Sequence, residues 1–316
     1  MFLTVTLNAA LDLTYGVRHL EPHASHRVRN VTQRPGGKGL NVARVLAALG
    51  HRAAVTGFVG GGTGRELRAL LSDSGGVRDA LVPVAGATRR TVGVVDESTG
   101  DTTQFNEPGP HISAAEWDSF LATYRDLVRA VDDPPRAVAL CGSLPPGVPV
   151  GAYAALIREA RAAGVPTLLD TSGEPLRRGL AARPELVKPN ARELAEITGS
   201  TEPLRAARGA RRRGARSVAA SLGAEGMLLV TRDGTWQAAP AERLPGNPTG
   251  AGDSAAAALL SGFAEDLPWP ELLTRAVALS AATVASPVAG EFDAPTYARL
   301  LPGVRVSEPN EPDIPA

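Results

Sequence analysis

Asn247-Pro248-Thr249-Gly250-Ala251-Gly252-Asp253 is the segment from which the reading of this chain starts. Gly250 and Gly252 can take backbone angles closed to other residues. With Ala251 between them, they leave backbone N–H groups uncovered. Residues 254–263 then read as an apolar, Ala-rich helix whose positive N-terminal end faces the loop, a place where a phosphate is stabilised. An aspartate there is repelled by a bound phosphate, yet is well placed to take a proton from an attacking hydroxyl. Asp is also a common helix cap. Taken alone, the segment supports the cap and the catalyst equally.

A second glycine cluster has the same design. Gly36-Gly37-Lys38-Gly39-Leu40-Asn41 precedes residues 42–50, whose apolar positions recur at helical spacing and whose final Gly50 is a C-cap signal. It is not a Walker loop, because Gly39 follows Lys38 where Ser or Thr would hold Mg²⁺. Tight turn and anion or polyol site both remain open for it.

Between and around these loops, short β-branched runs alternate with helical patterns. Strands are expected at 3–7, 53–59, 137–141, 167–170, 185–188 and 217–221, with helices at 38–49, 64–74 and 150–163 among them. This alternation predicts an α/β fold with a mostly parallel sheet and helices on both faces. A hairpin is expected from 227–231 to 235–238, turning at Asp233-Gly234. Residues 12–34 and 87–107 break the pattern, with strand-like runs at 91–96 and 102–106 and no helix between.

The 316 residues, 43% of them hydrophobic, suffice for a sizeable core. Lys plus Arg and Asp plus Glu number 33 each, so no overall charge recruits nucleic acid or an anionic membrane. The single cysteine, Cys141, excludes an internal disulfide, and ending an apolar run it reads as a buried residue rather than a nucleophile. Five scattered histidines lack zinc-ligand spacing. No apolar run approaches spanning length, and residues 1–7 read as a strand rather than a signal peptide, so a cytoplasmic location is expected. The acidic, Pro-rich residues 308–316 read as a loose tail.

Together, the stretch from Gly36 to Gly60 and the 247–253 loop resemble the two signature segments of the ribokinase-like carbohydrate kinases, the PfkB family. Thr6-Leu7-Asn8-Ala9-Ala10-Leu11-Asp12, Thr88-Arg89, Asn106-Glu107-Pro108-Gly109-Pro110 and Gly142-Ser143-Leu144-Pro145-Pro146-Gly147 follow in family order. So do Leu169-Asp170-Thr171-Ser172-Gly173-Glu174, Lys188-Pro189-Asn190-Ala191-Arg192-Glu193-Leu194 and Ser221-Leu222-Gly223-Ala224-Glu225-Gly226. The set is most similar to the phosphosugar branch, which holds 1-phosphofructokinases, tagatose-6-phosphate kinases and the minor 6-phosphofructokinases.

The resemblance implies a three-layer α/β/α core (1–11, 35–86 and 108–307) with a small discontinuous β-sheet lid (12–34 and 87–107), and a homodimer formed through paired lids. It implies ATP as phosphoryl donor with Mg²⁺, and a sugar phosphate as acceptor, fructose 1-phosphate being the choice. Asp253 becomes the general base, with the amides of Gly250, Ala251 and Gly252 on the transferring group. Asp12, Gly37, Asn41 and Ser143 are assigned to the sugar. Lys38, Arg89 and the lid's Arg27 are assigned to its existing phosphate, held away from Asp253. Lys188, Asn190, Ser221, Gly223, Gly226 and Thr249 are assigned to the nucleotide, the helix at 276–286 to the adenine pocket, and Asn190 and Glu193 to Mg²⁺ through water. From the residues alone, Glu193 and Arg192 read equally well as a solvated helix face. Ala9, Arg90, Thr91 and the 22–26 turn depart from the commoner family pattern near the acceptor side.

Overall fold

A computed structural model describes residues 1–286 and 291–309; part of the 308–316 tail therefore lies outside the described residues. The alternating pattern becomes an 11-stranded sheet. Its first strand, Phe2–Thr6, is fully buried and is flanked in parallel by Ala53–Gly60 and Ala137–Cys141. Parallel pairing continues through Thr167–Asp170 and Leu186–Val187 to Ser217–Ser221. From there Met227–Val230, Thr235–Ala239 and Arg305–Ser307 add antiparallel strands at that end. The hairpin forms at the expected place because Asp233-Gly234 supplies its turn.

Strands buried on both faces read as continuous apolar runs, and each face of this sheet packs its own helix layer. One core cluster gathers Phe120, Tyr124, Tyr153 and Ile157, and the other Leu40, Leu46, Leu259 and Leu279. The second layer contains the helices Lys38–Ala48, Ala251–Ala264 and Trp269–Val284. The last of these begins well before the expected residue 276. No helix among the described residues is long and apolar enough to cross a membrane.

The two segments without helices assemble into a separate four-stranded sheet of Asn30–Gly36, Ala10–Val17, Arg89–Asp96 and Thr102–Asn106, in that order. Alternation gives it two unlike faces. Asp12, Thr14, Arg34, Thr91 and Gly93 line a cavity on one face. Their neighbours in the register, Tyr15, Val31, Val92, Val94 and Phe105, occupy the other, where Val31 and Phe105 are 57% and 59% exposed.

Candidate active site

In open α/β sheets, ligands gather beyond the carboxyl ends of the parallel strands. Here those ends deliver Asn8, Cys141, Asp170, Lys188 and Ser221 to one edge of the sheet. Both glycine loops lie across that edge. Gly37, at φ 110°, starts the Lys38 helix so close to strand Phe2–Thr6 that a Cβ would sit 2.7 Å from Thr6 Cγ2. At Gly39, a Cβ would meet Thr6 Oγ1 at 2.3 Å. The glycines thus press the helix start onto the sheet and carry Lys38 over the end of a neighbouring strand.

Lys38 meets a partner there. Its Nζ donates to Asp170 Oδ1 at 2.9 Å, and Lys188 Nζ lies 3.0 Å from the other oxygen of the same carboxylate. Asp170 is 1% exposed, and burial alone would push its carboxyl up. Lys188 and Lys38 outweigh that and hold it below the usual range. Asp170 in turn holds the Lys38 ammonium well above its ordinary pKa, with Asp253 a smaller contributor in the same direction.

Asp253 occupies the first turn of Ala251–Ala264, whose N-cap is Gly250 at φ 86°. Its carboxylate is 7% exposed, and Oδ2 accepts from Asn41 Nδ2 at 2.8 Å. Burial raises its pKa to about 6 against the pull of Lys38. The helix has no side-chain cap. Ala251 N–H donates to Pro248 O at 3.1 Å, and Thr249 N–H donates to Asn247 Oδ1 at 2.9 Å. Among the described residues none accepts from the amides of Gly250 and Gly252. Of the three loop amides, that of Ala251 has its acceptor within the turn.

This loop divides two cavities. Pro248, Ala251 and Gly252 face one of about 410 Å³, walled by Ser221, Gly223 and Gly226 on one side and by Val277, Ala281 and Val284 on the other. Gly226, at φ 88°, passes so close to the next strand that a Cβ would fall 2.0 Å from Ala238 O. Asn247 and Thr249 face the second cavity, about 230 Å³, whose walls include Asp12, Asn41, Arg34 and Arg44. Thr249 therefore lies on the cavity opposite the one expected for it.

Asp12 projects from the smaller sheet over Gly36, where a Cβ would collide with its carboxyl carbon at 2.0 Å. Burial lifts its pKa to about 6 in spite of Arg89. Arg89 spends Nε on Asn8 O at 3.2 Å and Nη1 on Glu107 O at 2.9 Å, and burial lowers its pKa. Ser143 Oγ accepts from Asn8 Nδ2 at 3.1 Å. Arg27 is exposed in the connection between Ala10–Val17 and Asn30–Gly36 and is not among the residues lining either cavity.

Lys38 is paired with Asp170 and lies within electrostatic reach of Asp253. Asn190 and Glu193 form a reciprocal capping box: Glu193 N–H donates to Asn190 Oδ1 and Asn190 N–H to Glu193 Oε2, both at 2.8 Å. No cluster of three metal-ligating side chains occurs among the described residues. Sequence reasoning quoted Asp170 within a motif but gave it no role, and passed over Arg34 and Arg44. The only signal for Asp170 was a charge closing an apolar strand. Arg44 had none, since it reads as the polar face of a helix.

Comparison with known proteins agrees with this geometry. Residues 5–297 match the family model described as "pfkB family carbohydrate kinase". The chain is 38% identical over 275 residues to the 1-phosphofructokinase of Xanthomonas campestris pv. campestris, covering 84% of each chain. Phosphofructokinase-2 from Escherichia coli, solved with fructose-6-phosphate, superposes with a TM-score of 0.85 at 30% identity over 95% of this chain and 98% of that one. The same protein is known in a tetrameric inhibited form. A possible 1-phosphofructokinase from Thermotoga maritima gives 0.87 at 26% identity over 98% and 100%. By its sequence, its fold and the site at the ends of its strands, the chain belongs to the pfkB family of carbohydrate kinases.

Proposed function

We propose that the chain transfers the terminal phosphoryl group of ATP to the free 6-hydroxyl of fructose 1-phosphate, giving fructose 1,6-bisphosphate and ADP. The observation that carries this reading is Asp253, a buried carboxylate in the first turn of a helix whose leading loop borders both cavities. ATP occupies the apolar cavity, its base against Val277, Ala281 and Val284, and the acceptor occupies the polar one.

Asn41 holds Asp253 Oδ2, leaving Oδ1 to take the hydroxyl proton. As the proton leaves, the sugar oxygen bonds to the γ-phosphorus and the bond from that phosphorus to the β–γ bridging oxygen breaks, releasing ADP. The proton then passes from Asp253 to solvent. The amides of Gly250 and Gly252 point donors at the transferring group, and Lys38 and Lys188 supply positive charge beside it. Asp170 keeps both ammonium groups in place before the nucleotide arrives. The Mg²⁺ that accompanies ATP supplies charge neutralisation on its phosphates. Glu193 keeps Oε1 outside its capping bonds and lies within electrostatic reach of Lys38, so with Asn190 it suits a hold on that ion through water.

With Lys38 at the reacting end, Arg89 is left as the principal grip on the acceptor's existing phosphate, while Asp12 orients the sugar. Fructose 6-phosphate is the second reading, favoured by the likeness to a phosphofructokinase-2 bound to that sugar. A furanose can turn end for end in such a site. We assign the smaller sheet the role of lid, and its exposed Val31 and Phe105 suit a second copy of this chain, which would cover both. Arg27 serves the site only if such a dimer brings it there. We assign the reaction to the cytoplasm, which suits ATP and a sugar phosphate as substrates.

Measurement of ADP release with fructose 1-phosphate, fructose 6-phosphate, tagatose 6-phosphate, ribose and adenosine tests the assignment. The highest kcat/KM is expected with fructose 1-phosphate. A higher value for another phosphosugar replaces that acceptor, and a preference for ribose or adenosine overturns the phosphosugar reading.

A further inference from the structure

Beyond the residues assigned above, the polar cavity contains a charge arrangement that acceptor binding alone does not account for. Cross-strand pairing sets Arg34 directly opposite Asp12, on the same face of the smaller sheet. Arg44, from the Lys38 helix, lines the same cavity and acts electrostatically on Asp12. A carboxylate with arginines for neighbours is ordinarily captured by them, and charge-assisted bonds of that kind occupy its lone pairs. Capture would leave Asp12 with little to offer a sugar hydroxyl.

Both arginines turn to another acid. Arg44 Nη2 donates to Glu291 Oε1 at 2.9 Å, and Arg34 Nη1 contacts the same oxygen. Glu291 comes from the distant segment ahead of the helix Ala294–Leu300. It joins a cation of the smaller sheet to one of the core across the cavity wall. Its side chain is 45% exposed and that of Arg34 is 30% exposed, so the contact is modest in strength and open to solvent. Asp12 itself, raised to about 6 by burial in spite of Arg89, is a carboxyl that no guanidinium has captured.

We propose that Glu291 is a positioning residue for acceptor binding: by engaging Arg34 and Arg44 it keeps them off Asp12, whose carboxylate stays available to an acceptor hydroxyl. The inference rests on the reading of Asp12 as a sugar ligand. It assigns Glu291 no contact with the reacting atoms, and its exposure means that substitution there leaves the fold intact.

Steady-state kinetics of the full chain with ATP and its best phosphosugar tests this. Glu291→Gln is expected to raise the acceptor KM by about two- to fivefold, the worth of a partly exposed charge contact, with kcat and the ATP KM unchanged. Glu291→Asp restores much of the loss. Adding Arg34→Gln to Glu291→Gln brings the acceptor KM back toward the starting value, because it removes a cation that would otherwise seize Asp12. An unchanged KM in Glu291→Gln overturns the proposal. So does a double variant as impaired as the single one or more so, which would make Arg34 a direct ligand of the acceptor. Asp12→Asn separates the two readings. An unchanged acceptor KM there refutes the Asp12 assignment and this inference with it, whereas a raised one beside a normal Glu291→Gln refutes this inference alone.

Discussion

The two cavities that meet at the 247–252 loop differ in the side chains they offer a ligand. The larger is backbone and hydrocarbon: Gly223, Gly226 and Gly252 strip one wall to the main chain, and Val277, Ala281 and Val284 close the other. The smaller carries charged side chains, Asp12, Arg34 and Arg44, and its residues come from the smaller sheet, the Lys38 helix and the 247–249 loop. A flat apolar base needs access and a dry surface, which the core supplies rigidly. A charged, hydroxyl-rich acceptor needs directed side chains, and a two-sided sheet can present those while its other face does something else.

If this division is right, substitutions on the two sides should fail in different ways. The largest effect belongs to the residue between them. Asp253→Asn is expected to lower kcat by roughly 10²–10⁴, the usual worth of a positioned base, while both substrates still bind. Near-normal turnover would remove Asp253 from the mechanism.

Lys38→Ala comes next, with kcat down about 10²–10³ as expected for loss of a preorganised charge at the transferring group. The acceptor KM should move far less. A variant that instead lost only acceptor affinity would return Lys38 to the sugar phosphate and contradict its place beside Asp170. Arg89→Ala gives the complementary signature: an acceptor KM raised about 10- to 100-fold, as for a charge-assisted bond, with the ATP KM held. Equal losses for both substrates would mean that Arg89 supports the fold through Asn8 and Glu107 rather than binding the acceptor.

The smallest and most graded effect is that of pH. Asp253 must be ionised to accept a proton, and burial has moved its pKa up to about 6. The kcat should therefore be flat at neutral pH and fall about tenfold per unit below pH 6. A plateau extending to pH 4 would show the base to be a carboxyl of ordinary pKa.

Local chemistry explains how much could be read in advance. Gly250 and Gly37 were visible as loop glycines because positive φ leaves few alternatives, whereas the capping box of Asn190 and Glu193 went unread although its residues stand three apart. Strand Ala137–Cys141 was found to the residue, since a β-branched and apolar run buried on both faces has few other uses. The functional roles of Asp12 and Arg89 came from resemblance rather than from spacing, because a lone charge in a strand has no local signature.

The sequence by itself determined the alternation of strands and helices, the two bare loops that open helices, and an acid behind one of them. These properties need only near neighbours. Tertiary structure alone decided which charges meet. Lys38 finds Asp170 across 132 residues, Asn41 finds Asp253 across 212, and Arg34 finds Glu291 across 257. Those pairings are fixed by the order of strands in the sheet, which sets the ends of distant segments side by side. No periodicity or spacing along the chain encodes that order, and so nothing in the sequence pairs Lys38 with Asp170.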